Sequence, residues 1–217
     1  MHERNAFVTL TYDDEHLPQD NKVTKDELQR FIKRLRKNNP FNKFRYFACG
    51  EYGEETQRPH YHLLLFGQDF RGAELRLSDG FYSSHQISEA WPYGHNHSAN
   101  IDVGSCFYVA GYVQKKRDDE ASFTMKSNSL GRPYVDRFWR QILQLDGDCV
   151  IAGFKTPVPS VYIEWKEQEL MAIKNRRTQL AQEKATTGLL DHIEALHRAS
   201  KMHAAKAISN IGRKGKV

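Results

Sequence analysis

Two histidines separated by one residue, His60 and His62, are the first side chains in this sequence whose types and spacing suggest chemistry. They flank Tyr61 at the start of the apolar run 60–66, which has the composition of a β-strand. Side chains alternate between the two faces of a strand, so both imidazoles point to the same face. Paired imidazoles supply half of a metal site, although such a pair is more often structural or solvent-exposed.

A carboxylate from the preceding apolar segment can complete this site. Residues 43–51 and 60–66 are joined by a short connection bounded by Gly53 and Pro59, which predicts an antiparallel hairpin. Pairing of the two strands can bring Glu51 across to the histidines. Two imidazoles and one carboxylate leave coordination positions open on a divalent ion, which suits polarisation of a phosphodiester.

A second histidine pair, His95 and His97, lies among glycine, asparagine and serine residues. No apolar strand surrounds this pair to fix its geometry. We therefore expect a loop or the entrance to a strand beside the site, and not a second set of ligands.

Tyr108 and Tyr112 lie in the segment 105–117, whose apolar spacing favours a helix, although its β-branched residues leave a strand open. In a helix the two phenols share one face with Lys115 and Lys116. Tyrosines at this spacing are more often core residues than catalytic ones. A phenol nevertheless becomes a nucleophile when a cation stabilises its anion, and two lysines are unusual beside a purely apolar face.

The remaining segments predict the elements that position these residues. Residues 7–12 alternate as a strand, and the capping box of Thr24 and Glu27 begins an amphipathic helix that ends at Asn38-Asn39-Pro40. Further patterns predict a short helix near 84–91, a strand near 99–104, a helix starting at Pro133, and mixed strand and turn over 149–164.

The order strand, helix, strand, strand followed by helices predicts an α+β fold, in which helices cover an antiparallel sheet. From about residue 166 the chain is rich in Ala, Gln, Glu, Lys and Arg, which predicts an exposed or partner-packed helical extension. We therefore divide the chain into a domain of residues 1–165 and a basic helical C-terminal extension of residues 166–217.

Composition limits the classes of protein to which this chain can belong. Its 217 residues, 39% of them hydrophobic, suffice for one large core or two small ones. The sequence has no apolar run of roughly 20 residues and does not start with a signal core, so we expect neither membrane insertion nor secretion. Three separated cysteines fit a reducing cytoplasm, without disulfides or a thiolate zinc site.

The formal net charge of +5 is unevenly distributed along the chain. Residues 166–217 contain 11 basic and 5 acidic residues, whereas residues 1–165 contain 21 basic and 22 acidic ones. The basic surplus therefore belongs to the extension, and the domain must recognise its partner through specific residues.

Four segments resemble motifs of the HUH endonucleases, in which two histidines flank a bulky residue. RPHYHLLLFG, residues 58–67, resembles their histidine motif, and YVAGYVQKK, residues 108–116, resembles their tyrosine motif in its two-tyrosine form. FVTLTYDDEHLP at 7–18 and FACGEYG at 47–53 are similar to segments of replication initiators from gokushovirus-type single-stranded DNA phages, the Microviridae. The longer cysteine-rich start typical of those initiators is missing here.

The resemblance implies a ferredoxin-like or RRM-like antiparallel sheet, the HUH endonuclease core, that initiates rolling-circle replication. It implies that His60, His62 and Glu51 hold Mg²⁺ or Mn²⁺ on the scissile phosphate of single-stranded origin DNA. The implied partners are this DNA and the helicase and polymerase of the host. The implied location is the cytoplasm of an infected bacterium, and we expect a monomer.

The resemblance also implies that Tyr108 or Tyr112 attacks the phosphate, which leaves a 5′-phosphotyrosine and a free 3′-hydroxyl. The second tyrosine would accept the new strand junction after one round. Lys115 and Lys116 would screen the developing charge, and the spacing of Tyr112 to Lys115 favours Tyr112 as the first nucleophile. Contacts to single-stranded DNA are expected from six further residues: Thr9, Thr11, Lys33, Arg34, Arg36 and Arg58.

Two other interpretations remain open at this point. A mobilisation relaxase or a tyrosine transposase shares the fold, although the paired tyrosines speak against both. A noncatalytic module that binds single-stranded nucleic acid would instead stack bases on Tyr46, Phe47 and Tyr61 and would need no metal.

Overall fold

The computed structural model describes residues 1–53, 56–70, 74–77, 81–115 and 122–186, but not the side chains of 74–75, 112–115 and 184–186. Contacts divide the chain into a unit of residues 2–130, the sheet unit, and a second unit that begins at Gly131. This division differs from the boundary expected after residue 165. No helix in the described part of the chain is long and apolar enough to cross a lipid bilayer.

The sheet unit has ferredoxin-like topology. Its elements are β1 (Asn5–Tyr12), α1 (Lys25–Asn38), β2 (Arg45–Tyr52), β3 (Pro59–Phe66), β4 (Glu74–Arg76), β5 (Tyr82–Ser84), α2 (His85–Ala90), β6 (Gly94–Ala99), α3 (Val103–Lys115) and β7 (Phe123–Lys126). The strands form one antiparallel sheet in the order β4-β5-β6-β1-β3-β2-β7. The central order β6-β1-β3-β2, with α1 and α2 as connections, confirms the predicted α+β fold.

The main core lies between the sheet and α1 with α2. Thr24 caps α1 by accepting a hydrogen bond from the Glu27 amide, as the capping box predicts. Phe31 of α1 then packs on Tyr61 and Leu63 of β3, all fully buried. These core side chains define the helix-covered face of the sheet.

On the opposite face of the sheet the only described helix is α3. Val109 of α3 is buried against Cys49 of β2 and Leu64 of β3 in a smaller apolar cluster. His60 and His62 alternate with Tyr61 and so belong to this face, which we call the histidine face. Consequently α3 is the element that can bring a side chain to the histidines.

Two strands differ from the sequence-based expectation. The strand expected near 99–104 is wrong, because β6 spans Gly94–Ala99 and α3 already begins at Val103. β7 has no counterpart among the predicted elements, and it pairs with β2 at the edge of the sheet. β6 therefore contains His95 and His97, for which a loop or strand entrance was expected.

The second unit has its own core. Its described elements are α4 (Arg132–Gln144), β8 (Asp148–Ile151), β9 (Phe154–Pro157), α5 (Ser160–Glu164) and α6 (Glu167–Thr186). Leu170 and Ile173 of α6 are buried against Ile142, Val158 and Ile163. The helix expected to begin an exposed or partner-packed extension thus packs with the preceding elements, which explains why the contacts place residues 131–165 with α6. Residues 187–217 lie outside the described part of the chain.

Candidate active site

The hairpin predicted from the sequence sets the register of the candidate site. β2 and β3 pair antiparallel, with Glu51 opposite His60 and Cys49 opposite His62. On the other side of β3, β1 places Thr11 opposite His60 and Thr9 opposite His62. Residues that face each other across an antiparallel pair share one face of the sheet, so all of these side chains belong to the histidine face.

His62 is held at both ring nitrogens. Its Nε2 lies 2.8 Å from Glu51 Oε1, and its Nδ1 lies 3.0 Å from Thr9 Oγ1. The His62 and Glu51 side chains are buried, and the Phe7 ring stacks parallel to the imidazole at 5.7 Å. Because a hydroxyl can donate or accept, Thr9 can hold His62 in either neutral tautomer. The orientation of this imidazole is therefore set before any ligand binds.

His60 presents a different ring nitrogen to its surroundings. Its Nδ1 donates a hydrogen bond to the Arg58 carbonyl oxygen at 2.6 Å, since a carbonyl can only accept. Burial lowers the pKa of His60 below its usual value, which favours the neutral imidazole. A neutral ring with Nδ1 protonated carries its lone pair on Nε2, the state that ligates metal ions.

Glu51 and His62 fit a divalent ion as a pair of ligands. Two ligands about 2.1 Å from one ion and at right angles lie about 3 Å apart, and these two atoms are 2.8 Å apart. The His60 and His62 rings are parallel, with centroids 6.5 Å apart. Among the described residues, however, no three histidine, cysteine, aspartate or glutamate side chains converge into a complete ion site.

Cys49 adds no thiolate to this group. Burial, with a further contribution from the Glu51 carboxylate, raises the pKa of its thiol to about 12. Cys49 therefore remains a neutral thiol at physiological pH and packs as an apolar side chain.

α3 brings Tyr108 to the histidine pair. The Tyr108 ring meets the His62 ring edge to face, with centroids 5.3 Å apart, and it also contacts Phe7. The side chain is 44% exposed, so it is not a core residue. Tyr112 lies one helical turn later in α3. The side chains of Tyr112 and Lys115, and the whole of Lys116, fall outside the described part of the chain.

β6 extends the histidine face away from Glu51. Its register with β1 places His97 opposite Thr9 and His95 opposite Thr11. The two exposed imidazoles therefore lie two strands from His62 and His60. The sequence analysis correctly placed this pair beside the site but did not predict that it belongs to the same sheet face.

The basic residues expected to contact DNA lie elsewhere in the sheet unit. Lys33, Arg34 and Arg36 belong to α1, on the helix-covered face. Arg34 donates to the Ala90 carbonyl oxygen, and Arg36 lies over the Phe44 ring. The structure does not bring these three residues together with the histidines, so their role as DNA contacts stays a prediction. Sequence alone does not show on which face of a sheet a helix packs.

Arg58 joins two strands at the end of the sheet nearest His60. Its guanidinium pairs with the Asp14 carboxylate at 2.7 Å and donates to the Tyr12 carbonyl oxygen at 3.0 Å. These contacts fix the start of β3 against the end of β1. Arg58 is thereby engaged by the protein itself, and its expected contact with DNA stays a prediction.

The proposed base-stacking platform of a noncatalytic module does not form. Tyr61 is fully buried in the main core, where its hydroxyl lies 3.1 Å from the Tyr12 hydroxyl and accepts from the Thr24 amide. Phe47 is partly buried in the apolar cluster under α3, and Tyr46 packs against the main core. Stacking on Tyr61 is therefore wrong, which removes the central residue of that interpretation.

Comparison with known proteins places this site in a family of replication proteins. The profile of the replication-associated protein ORF2 family matches residues 5–117, which include every described residue of the site. Three phage proteins are similar to the chain: replication-associated protein VP4 of Bdellovibrio phage phiMH2K, with 29% identity, replication-associated protein ORF4 of Chlamydia phage 1, with 32%, and replication-associated protein ORF2 of Spiroplasma virus 4, with 33%.

The similarity covers different shares of these proteins. It includes 83% of this chain and 69% of the Bdellovibrio phage protein, and 74% of this chain and 45% of the Chlamydia phage protein. For the Spiroplasma virus protein the shares are 52% and 38%. The chain thus spans less than half the length of two of the three relatives. No solved structure is significantly similar to it.

Proposed function

Because this chain belongs to the replication-associated protein ORF2 family, we propose that it initiates rolling-circle replication of a single-stranded DNA phage. In this proposal it nicks the origin in single-stranded form and remains covalently attached to the cut end. The observation that carries the proposal is the exposed Tyr108 phenol beside the buried His62–Glu51 pair. A purely structural tyrosine would gain nothing from this position, whereas a nucleophile requires it.

The chain's own residues supply each part of the proposed reaction. Tyr108 or Tyr112 loses its phenolic proton and forms an oxygen–phosphorus bond, and the bond from phosphorus to the 3′-oxygen breaks. The 3′-oxygen takes up a proton, which leaves a primer for the host polymerase and a 5′-phosphotyrosine that conserves the bond energy for rejoining. Bound Mg²⁺ or Mn²⁺, held by Glu51, His62 and His60, would withdraw charge from the phosphate.

The contacts of Tyr108 support its role as a nucleophile. Its ring touches His62, so a phosphate seated on Glu51 and His62 would lie within reach of its hydroxyl. The assignment of Tyr112 as the first nucleophile remains a prediction, as do the charge-screening roles of Lys115 and Lys116. Either tyrosine would act from the same helix, α3.

The test is formation of a covalent protein–DNA adduct. The full chain is incubated with a pool of single-stranded oligonucleotides that covers the phage origin, with Mn²⁺ or with EDTA, and a denaturing gel detects DNA-shifted protein. The variants are Tyr108→Phe, Tyr112→Phe and the double variant. Tyr93→Phe is the matched control, because Tyr93 packs with the main core and not with the histidines.

We expect an adduct that requires Mn²⁺, persists in Tyr93→Phe and disappears in the double variant. The single variants then rank the two tyrosines. An adduct that survives EDTA would remove the metal from the proposal. DNA binding without an adduct in the unmodified chain would show that it is an origin-binding protein and not a nickase.

A further inference from the structure

The histidine face continues beyond the candidate active site to the β6 side of the sheet. Two rows of residues cross it: His97, Thr9 and His62 in one row, and His95, Thr11 and His60 in the other. With strands about 4.8 Å apart, the β6 histidines lie about 10 Å from His62 and His60. This distance corresponds to about three nucleotides of a stacked strand, or fewer in an extended one.

Charge on the histidine face favours this side for a polyanion. Between β3 and β6 the two rows contain only imidazole and hydroxyl side chains, whereas Glu51 on β2 lies on the other side of His60. A DNA strand that leaves the active site over β2 meets a carboxylate. A strand that leaves over β1 and β6 meets groups that can donate hydrogen bonds to phosphate oxygens.

An aromatic side chain stands at the far end of this path. Phe81 precedes β5 and is 40% exposed, and its ring lies 6.1 Å from the His97 ring. Exposed aromatic rings bind single-stranded DNA by stacking on bases, which requires no particular sequence. Neither the His95 nor the His97 imidazole has an ion pair or hydrogen bond to another residue in the described part of the chain.

We infer that Phe81, His95 and His97 form a nucleotide subsite, the flanking subsite, for single-stranded DNA beside the scissile phosphate. Phe81 stacks on one base, and the two imidazoles hydrogen-bond to the adjoining phosphate. The inference rests on the proposed function for the position of the scissile phosphate. It deepens that function by assigning the side of the active site on which the uncleaved part of the strand is held.

The first test measures binding in the Tyr108→Phe/Tyr112→Phe background, so that no cleavage occurs. Fluorescence anisotropy with a labelled single-stranded origin oligonucleotide compares Phe81→Ala with Phe41→Ala. Phe41 is a matched control because it is 97% exposed and follows α1. Loss of one stacked base should weaken binding about 5- to 150-fold in Phe81→Ala, and Phe41→Ala should bind normally.

A second test detects stacking directly. Phe81→Trp retains an aromatic ring, so we expect near-normal affinity and quenching of the introduced tryptophan when DNA binds. Phe41→Trp should show no quenching. The double variant His95→Ala/His97→Ala should bind more weakly than His85→Ala, which removes an exposed histidine of α2.

The outcomes separate this inference from the proposed function. If Phe81→Ala binds as tightly as Phe41→Ala, or the tryptophan at position 81 is not quenched, the flanking subsite is wrong whatever the adduct assay shows. If both binding tests succeed but the unmodified chain forms no adduct, the nicking proposal fails and the subsite stands as a DNA-binding site.

Discussion

At the scale of single residues, the site depends on how His62 is held. Glu51 contacts Nε2, Thr9 contacts Nδ1 and Phe7 stacks on the ring. A histidine that ligates a metal ion through Nε2 must carry its proton on Nδ1, and a partner at Nδ1 stabilises that tautomer. Thr9, expected from the sequence to touch DNA, is therefore better described as a positioning residue for His62.

This role predicts a specific result for Thr9. Thr9→Val keeps the shape of the side chain but leaves Nδ1 of buried His62 without its partner, and we expect adduct formation to fall about 10- to 100-fold. Thr9→Ser restores the hydroxyl and should recover most of the activity. The measurement is the adduct rate as a function of Mn²⁺ concentration.

A change in the Mn²⁺ requirement distinguishes positioning from simple destabilisation. If Thr9→Val lowers the rate equally at all Mn²⁺ concentrations and Thr9→Ser behaves like it, the hydroxyl does not act through the metal ligands. Thermal unfolding of both variants shows whether a loss of folded protein explains the change.

Sequence reasoning reached only part of this arrangement. Glu51 was predicted beside the histidines because a short hairpin allows few registers, and the structure confirms the pairing. The role of Thr9 was missed because β1 and β3 are separated in sequence by α1 and β2, so no local pattern reports their register. The same limit applies to Arg34 and Arg36, whose helix packs on the other face.

At the scale of elements, β6 shows why a strand can escape a hydrophobicity pattern. Its inward residues, Asn96 and Ser98, are polar and buried. Asn96 accepts from the Ser84 amide and donates to the Ser88 hydroxyl, and Ser98 donates to the Tyr82 carbonyl oxygen. Hydrogen bonds replace apolar burial here, so alternation of apolar side chains could not reveal the strand.

Gly94 fixes β6 against β1 and predicts a stability effect. Its φ is +150°, and an added Cβ would lie 2.4 Å from the Asp13 nitrogen and the Thr11 carbonyl oxygen, both backbone atoms. Because backbone cannot move aside as a side chain can, Gly94→Ala should cost at least about 1–3 kcal/mol of unfolding free energy. Urea unfolding followed by Trp91 fluorescence, with Trp139 and Trp165 changed to phenylalanine, isolates the sheet unit.

Gly67→Ala is the matched control for this measurement. Gly67 also has a positive φ, +96°, but its added Cβ would meet its nearest atom, the Lys43 carbonyl oxygen, at 3.0 Å. We expect Gly94→Ala to cost more, because it adds a backbone clash to the conformational penalty that both variants share. Equal costs would mean that the close approach of β6 to β1 is relieved without loss of stability.

At the scale of the whole molecule, the described site residues lie in the sheet unit, whereas much of the basic surplus lies in the last part of the chain. Residues 187–217 contain six basic and two acidic residues. α6, by contrast, is structural: Leu170 and Ile173 are buried, and Arg177 donates to the Gly147 and Val158 carbonyl oxygens. A deletion that tests the contribution of charge should therefore start after residue 186 and not at residue 166.

We expect removal of residues 187–217 to weaken nonspecific binding to single-stranded DNA and to reduce its dependence on salt. Each phosphate contact that is lost should lower the slope of log affinity against log salt by about 0.7. A full-length control in which glutamine replaces Arg198, Lys201, Lys206, Arg213, Lys214 and Lys216 separates charge from chain length. If both variants keep the original affinity and slope, the tail does not contact DNA. If only the deletion weakens binding, the tail acts through something other than its charge, whereas adduct formation at low salt should persist in both variants because the proposed nucleophiles and metal ligands are retained.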